Sequence, residues 1–298
     1  MSSTAVVPAR LTATDALLLL MAVLWGTNYI VAKYGTQVFA PLVFNSMRIA
    51  LATAVLWAIV LARGVTLPPR RDIVRLLALG VIGNGVYQVL FIEGLSRTRA
   101  SDTALVLASS PAFMAIIGRL RGVDRVGRRG VAGIALSLAG IGLVVFGSRH
   151  VVTGVSTMTG YVIMIGACIA WALYVVLLKP YTERIDGIAL SAVTITGGLV
   201  PMVLLAAGAL RATRWSNVGP PAWAAVAYSG ILALVVAYLC WYRGVRVLGP
   251  TRASMYANLQ PLVAIGVAWA VLGEVPSVVQ AAGGAAIMSG LLLTRMAT

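Results

Sequence analysis

Residues 16–32 read ALLLLMAVLWGTNYIVA, a run without a single charge. A helix needs about 20 predominantly apolar residues to cross about 30 Å of hydrocarbon, so this run with its flanks reads as a membrane span. Arg10 precedes it, as a basic residue precedes the core of a signal peptide. The run continues through Trp25-Gly26-Thr27-Asn28-Tyr29 without an A-x-A-like cleavage site, so it is expected to remain as a first helix. Further charge-free runs cover 76–92, 103–118, 130–148, 151–178, 187–210, 215–242, 253–273 and 275–294, and 34–62 is interrupted only by Arg48. Barrel strands would alternate apolar and polar residues over about ten positions; these runs are continuously apolar. The expected fold class is therefore an all-α membrane protein with ten transmembrane helices.

Composition agrees. Sixty per cent of the 298 residues are apolar and 10% are charged, against about 25% charged in a soluble domain. Mean hydropathy is +0.95. Ten spans leave only short loops, with no room for an extramembrane domain. The net charge of +15 is an orientation signal. Sixteen of the 23 Lys and Arg fall in the terminal segments and alternate loops of one side, six on the other, and Arg48 lies within a span. The positive-inside rule then puts both termini in the cytoplasm and His150 outside, and no nucleic acid is expected as a partner.

The chain also repeats. Gly94 to Pro111 and Gly244 to Pro261 have the same spacing, and at that offset of 150 Asp124 meets Glu274, Gly133 meets Gly283 and Gly140 meets Gly290. Trp25 and Lys33 are spaced like Trp171 and Lys179, and these are the chain's two lysines. Five spans per half is an odd number, so the second half must enter the membrane from the other side. The expected organisation is two inverted five-helix repeats, residues 1–148 and 149–298, an architecture that lets a central site open to either face.

These features resemble the drug/metabolite transporter superfamily in its ten-helix EamA-type branch. The resemblance rests on Trp25 to Tyr29 with Lys33, on Pro41 through Arg48 into Ala50, on Ser110-Pro111 and Gln260-Pro261, on Leu272-Gly273-Glu274, and on the glycines of the fifth and tenth spans. The first half departs from the pattern before its fifth span, where Gly122-Val123-Asp124 replaces the usual Gly-Glu. Within the branch the chain is most similar to the YddG-type amino-acid exporters. The resemblance implies a secondary transporter of the bacterial inner membrane, export of small metabolites with amino acids foremost, and a central substrate cavity.

The residues themselves suggest where such a cavity lies. Asn84, Tyr87, Gln88 and Phe91 share one helical face. Amides in hydrocarbon are costly unless they meet partners or water, so that face should point inward. Trp25, Asn28 and Tyr29, then Trp171 and Tyr174, then Tyr238, complete the candidate substrate-binding set, with Asn258 beside Pro261. Tyr174, Trp241 and Tyr242 are also open to a reading as interfacial belt residues, and the deeper residues to a reading as packing. Pro111 and Pro261 each remove a helix amide, freeing the carbonyls of Leu107 and Ala257; a shared hinge and a packing kink both remain open. Pro201, without a counterpart, is expected to pack. Arg48 must face a cavity, snorkel or pair; Glu93 is its candidate partner, both are candidate gating residues, and a role for Arg48 in meeting a substrate carboxylate also remains open. Lys33 and Lys179 are candidate gating residues or simple anchors at opposite faces. The small residues of the fifth and tenth spans suit close helix packing within one monomer, with a dimer face as the alternative.

Other chemistries find little support. One histidine and two cysteines far apart give no metal cluster and no disulfide framework, and no GxxxxGK[ST] loop occurs. No catalytic residues, metal or cofactor are expected. The first span has no carboxylate beyond Asp15 at its edge, which disfavours organic-cation/proton antiport of the small multidrug type. The expected partners are a small-molecule substrate and membrane lipid. A broad drug/metabolite carrier, or a scaffold or lipid-handling protein without a solute cycle, stand as alternatives.

Overall fold

The computed structural model describes residues 12–122, 127–149, 157–248, 253 and 256–295. His150 and Asp124 lie outside them. Among the described residues these long or apolar helices follow one another: α1 (Ala13–Val38), α2 (Pro41–Arg63), α3 (Arg70–Ser96), α4 (Ala100–Leu120), α5 (Arg128–Arg149), α6 (Met158–Thr182), α7 (Gly187–Ala212), α8 (Pro220–Leu248), α9 (Gln260–Leu272) and α10 (Val278–Arg295). The first eight are long and apolar enough to cross a membrane, and α9 and α10 are shorter apolar helices. Among the described residues there is no strand.

Local chemistry sets the ends. Thr12 and Asp15 form a reciprocal capping box at the start of α1, which satisfies donors that a helix leaves open. Asp186 accepts from the Ile188 amide at 2.8 Å to start α7. Gly64 ends α2 and Gly273 ends α9 in the left-handed region, at φ 57° and 66°, which glycine adopts without a side-chain penalty. Outward-facing residues such as Leu204 (70% exposed), Val162 (62%) and Leu262 (61%) suit contact with lipid tails.

Packing follows a two-fold logic. α1 packs on α8 and α9 as its counterpart α6 packs on α3 and α4; α2 packs on α8 as α7 packs on α3; and α2–α7 and α5–α10 pair across the halves. The last pair is the closest. A Cβ on Gly140 would fall 2.7 Å from the Gly283 carbonyl oxygen, and one on Gly290 would strike the Gly133 carbonyl. Exchanging the halves turns one contact into the other. The small-residue faces of α5 and α10 are thus packed against each other.

Two features depart from uninterrupted helices. α3 contains a π-helical stretch at Val81–Val86 and α8 one at Tyr228–Val236, ending at positions 150 apart. At the expected proline kinks the α-helical hydrogen-bond ladder lapses, at residues 108–109 and again at 258–259, while the backbone at Ala108, Ser109 and Leu259 stays in the right-handed helical region, and Pro111 and Pro261 stand in the first turn of the next segment. Proline cannot bond back to the preceding turn. At the first break Ser110 Oγ instead donates to the Leu107 carbonyl at 2.7 Å, and Ser109 Oγ to the Val106 carbonyl at 2.6 Å. Both serines therefore serve the backbone.

Candidate functional site

The aromatic residues of α1, α3, α6 and α8 meet at the centre of the bundle. Trp25 stands edge-on to Tyr238 at 5.3 Å, and Trp171 lies 4.9 Å from Tyr87. Each contact joins a tryptophan from the first helix of one half to a tyrosine from the third helix of the other. Trp171 also meets Tyr238 at 6.3 Å, so the two pairs form one cluster. Phe91 extends it, 5.9 Å from Tyr87 and 6.1 Å from Tyr29, and Trp241 closes on Trp25 at 6.1 Å. Trp25, Tyr87, Trp171 and Tyr238 are only half-buried although other aromatic rings surround them. That combination suits the wall of an internal space.

The π stretches shape this wall. A π turn leaves backbone groups out of the regular ladder and widens the helix. In α8 the Ala233 carbonyl accepts from Trp25 Nε1 at 2.9 Å, and Ser229 Oγ donates to Asn28 Oδ1 at 2.6 Å. Asn28 is therefore occupied in joining α1 to α8. In α3 the π stretch carries Asn84, and Gly83 leaves room for the Tyr174 ring, which a Cβ would strike. The Tyr174 hydroxyl faces Asn84, Thr194 and Tyr242. Tyr174 is 2% exposed, so its ring lies inside the bundle, and Tyr242 packs on Tyr238 at 6.3 Å. Asn84, Ser191, Thr194, Tyr238 and Tyr242, with Leu56, Ile195 and Leu234, line a small space of about 10 Å³, room for about one water molecule.

Arg48 corrects one expectation. Its partner is not Glu93, which pairs with Arg97 one turn along α3. Arg48 Nε donates to Asn45 Oδ1 at 2.6 Å, and Nη2 donates to Gln88 Oε1. Asn45 Nδ2 donates in turn to the Gln88 carbonyl at 2.9 Å. The guanidinium sits over Phe91 at 5.4 Å and Phe44 at 5.9 Å. Gln88 thus faces inward as expected, but it serves Arg48.

The lysines are not equivalent in their surroundings. Lys33 is 4% exposed, and its Nζ donates to the carbonyls of Leu95, Ser96 and Thr98 at 3.0, 3.1 and 2.6 Å. Lys179 is exposed. The Lys33 end of the bundle carries more polar ties. Glu274 lies 3.7 Å from Arg99 and accepts from the Ala100 and Ser101 amides and the Ser101 hydroxyl. Asp102, fully buried, accepts from Tyr161 at 2.5 Å and Gln280 at 2.7 Å. These contacts join α1, α3, α4, α6 and α10 at one end. At the other end Asp72 holds Arg184 at 2.9 Å and Asp15 accepts from Tyr256 at 2.6 Å.

Sequence reasoning missed Asp102, Asn45 and Ser229. Asp102 sits at a helix edge next to charged loop residues, and only tertiary packing buries it. Asn258 stands in the turn before α9, half-buried, on the opposite side of the repeat from Ala108. Among the described residues no group of His, Cys, Asp or Glu could hold a metal ion.

A model of the family described as EamA-like transporter family matches twice, over residues 12–146 and 158–296. The chain is similar to the uncharacterized transporter YyaM of Bacillus subtilis (strain 168), 29% identical over 93% of this chain and 91% of that one. It is similar to a probable terminal-alkyne amino-acid exporter of Streptantibioticus cattleyicolor, 24% identical over 94% of this chain and 93% of the other. A crystallographically determined chain shares the fold at a TM-score of 0.67, with 21% identity, covering 95% of this chain and 96% of that one.

Proposed function

The chain belongs to the EamA-like transporter family, and from that premise we propose that it exports small amphipathic metabolites, amino acids with aromatic or apolar side chains foremost, by alternating access. The observation that carries this reading is the half-buried cluster of Trp25, Tyr87, Trp171 and Tyr238, built in like fashion from both halves. Aromatic faces accept an apolar body, and nearby amides and hydroxyls accept its polar end. The name of the Streptantibioticus relative supports amino acids as the solute class.

In this reading the halves 1–148 and 149–298 are the two moving units, and the breaks at Pro111 and Pro261 are the shared hinges. The termini are cytoplasmic, supported by the basic bias of one set of loops, and the membrane is the bacterial inner membrane, supported by the name of the similar inner membrane transporter YedA of Escherichia coli. The contacts around Lys33, Glu274 and Asp102 then seal the outer face. Purified protein in liposomes tests the reading. Uptake of an amino-acid panel, with and without a pH gradient, should show saturable transport of aromatic or apolar members. Absence of transport for the whole panel would overturn it.

A further inference from the structure

We propose that Arg48 is the anchoring site for the substrate's carboxylate, so that the transported solute carries a free carboxylate on an apolar or aromatic body. The inference rests on the transport reading above and names the chemical class of its substrate.

The observation is a cation without a matching anion. Arg48 is 1% exposed, on the second turn of α2. The groups that hold it are neutral: the side-chain oxygens of Asn45 and Gln88 and the rings of Phe44 and Phe91. The chain has eight carboxylates, and the described ones are placed elsewhere. Glu93 holds Arg97, Glu274 holds Arg99, and Asp72 holds Arg184. Asp102 binds Tyr161 and Gln280, Asp15 binds Tyr256, and Asp186 caps α7. Glu183 follows α6 at the opposite end of the bundle. A charge removed from water without an opposite charge is costly even when dipoles surround it. A carboxylate arriving from solution would relieve that cost, and the planar guanidinium fork fits a carboxylate in two-point contact.

Position agrees with chemistry. Phe91, under the guanidinium, is the ring that continues through Tyr87 to Trp171. A small solute whose carboxylate met Arg48 would lay its remaining atoms on this row of rings. Asn45 and Gln88 hold the guanidinium at two points, so it is oriented before the solute arrives, which lowers the ordering cost of binding.

The test compares acids with their amides on the unaltered protein. L-phenylalanine and L-phenylalaninamide, and L-leucine and L-leucinamide, would compete for binding to purified protein, read by the fluorescence of its own tryptophans or by calorimetry. Each acid should bind at least about tenfold more tightly than its amide, equal to about 1.4 kcal/mol. Arg48→Gln should bring that ratio close to one, and Arg48→Lys should keep part of it. Acid and amide binding equally well to the unaltered protein would overturn the carboxylate site and leave the transport reading intact. Amides preferred over acids would overturn it as well. If no member of either series binds, the amino-acid reading fails and this inference fails with it. The wild-type comparison decides the matter even if both Arg48 variants are unstable.

Discussion

Tyr87 and Trp171 face each other across the two halves of the chain, ring centroids 4.9 Å apart and planes tilted by 40°. Neither ring is fully buried, so neither is fixed by packing on all sides. Full burial of an aromatic side chain makes its removal cost about 3–5 kcal/mol; these two should cost less. Tyr87→Ala and Trp171→Ala are expected to cut transport in liposomes at least about tenfold, as for loss of one stacking contact of about 1–1.5 kcal/mol. Thermal unfolding should shift by only a few degrees. A collapse of the unfolding midpoint in both variants would make the rings packing residues instead.

The α5–α10 contact predicts a sharp contrast between glycines. A side chain at Gly140 meets the Gly283 carbonyl and Ile287, whereas one at Gly142, two positions away, meets nothing within 4 Å. Gly140→Leu and Gly290→Leu should each destabilise by about 1–3 kcal/mol or more, because overpacking forces two backbones apart. Gly142→Leu should leave the melting temperature unchanged. Equal effects at Gly140 and Gly142 would contradict the close approach.

Much of this was legible from charge gaps and spacing. Gaps between charges located the spans, because hydrocarbon excludes charge, and the offset of 150 located the repeat. The i, i+3, i+4, i+7 pattern from Asn84 to Phe91 placed that face inward, because amides need partners there. The π stretches at Val81 and Tyr228 left no such trace, because no residue type demands them. Proline marked residues 111 and 261, where the missing amide interrupts the hydrogen-bond ladder. The choice of Gln88 over Glu93 for Arg48 depends on helix rotation. Glu93 is one turn further along α3, close to its end, where Arg97 is near enough to take it. Loop residues offered even less, since Glu274 and Asp102 find their partners only when α4, α9 and α10 converge.

Orientation yields a labelling prediction. Cys168 and Cys240 are buried, so membrane-impermeant reagents should ignore them in intact cells. A cysteine introduced at His150 should react from outside and one at Gly122 should not. The opposite pattern would reverse the orientation and place the Lys33 end on the cytoplasmic side.

Lys33 gives the last prediction. A lysine at a helix end can simply snorkel to water, and Lys179, exposed at the other end of the bundle, fits that description. Lys33 does not. Its ammonium is buried and donates to three carbonyls more than 60 residues away in sequence, where α3 turns into α4. A group bonded in one state and not in another biases the equilibrium between them. If this end opens during transport those bonds must part, and Lys33 is then expected to stabilise the closed form. Lys33→Met should favour the open form by about 1–3 kcal/mol, the usual size of such couplings, and Lys179→Met should have no effect. Spin labels at Arg97 and Val278, both exposed at this end, would report it: the distance distribution should broaden and lengthen in the Lys33 variant. An unchanged distribution would reduce Lys33 to an anchor, and a shift of equal size from Lys179 would show that burial does not distinguish the pair.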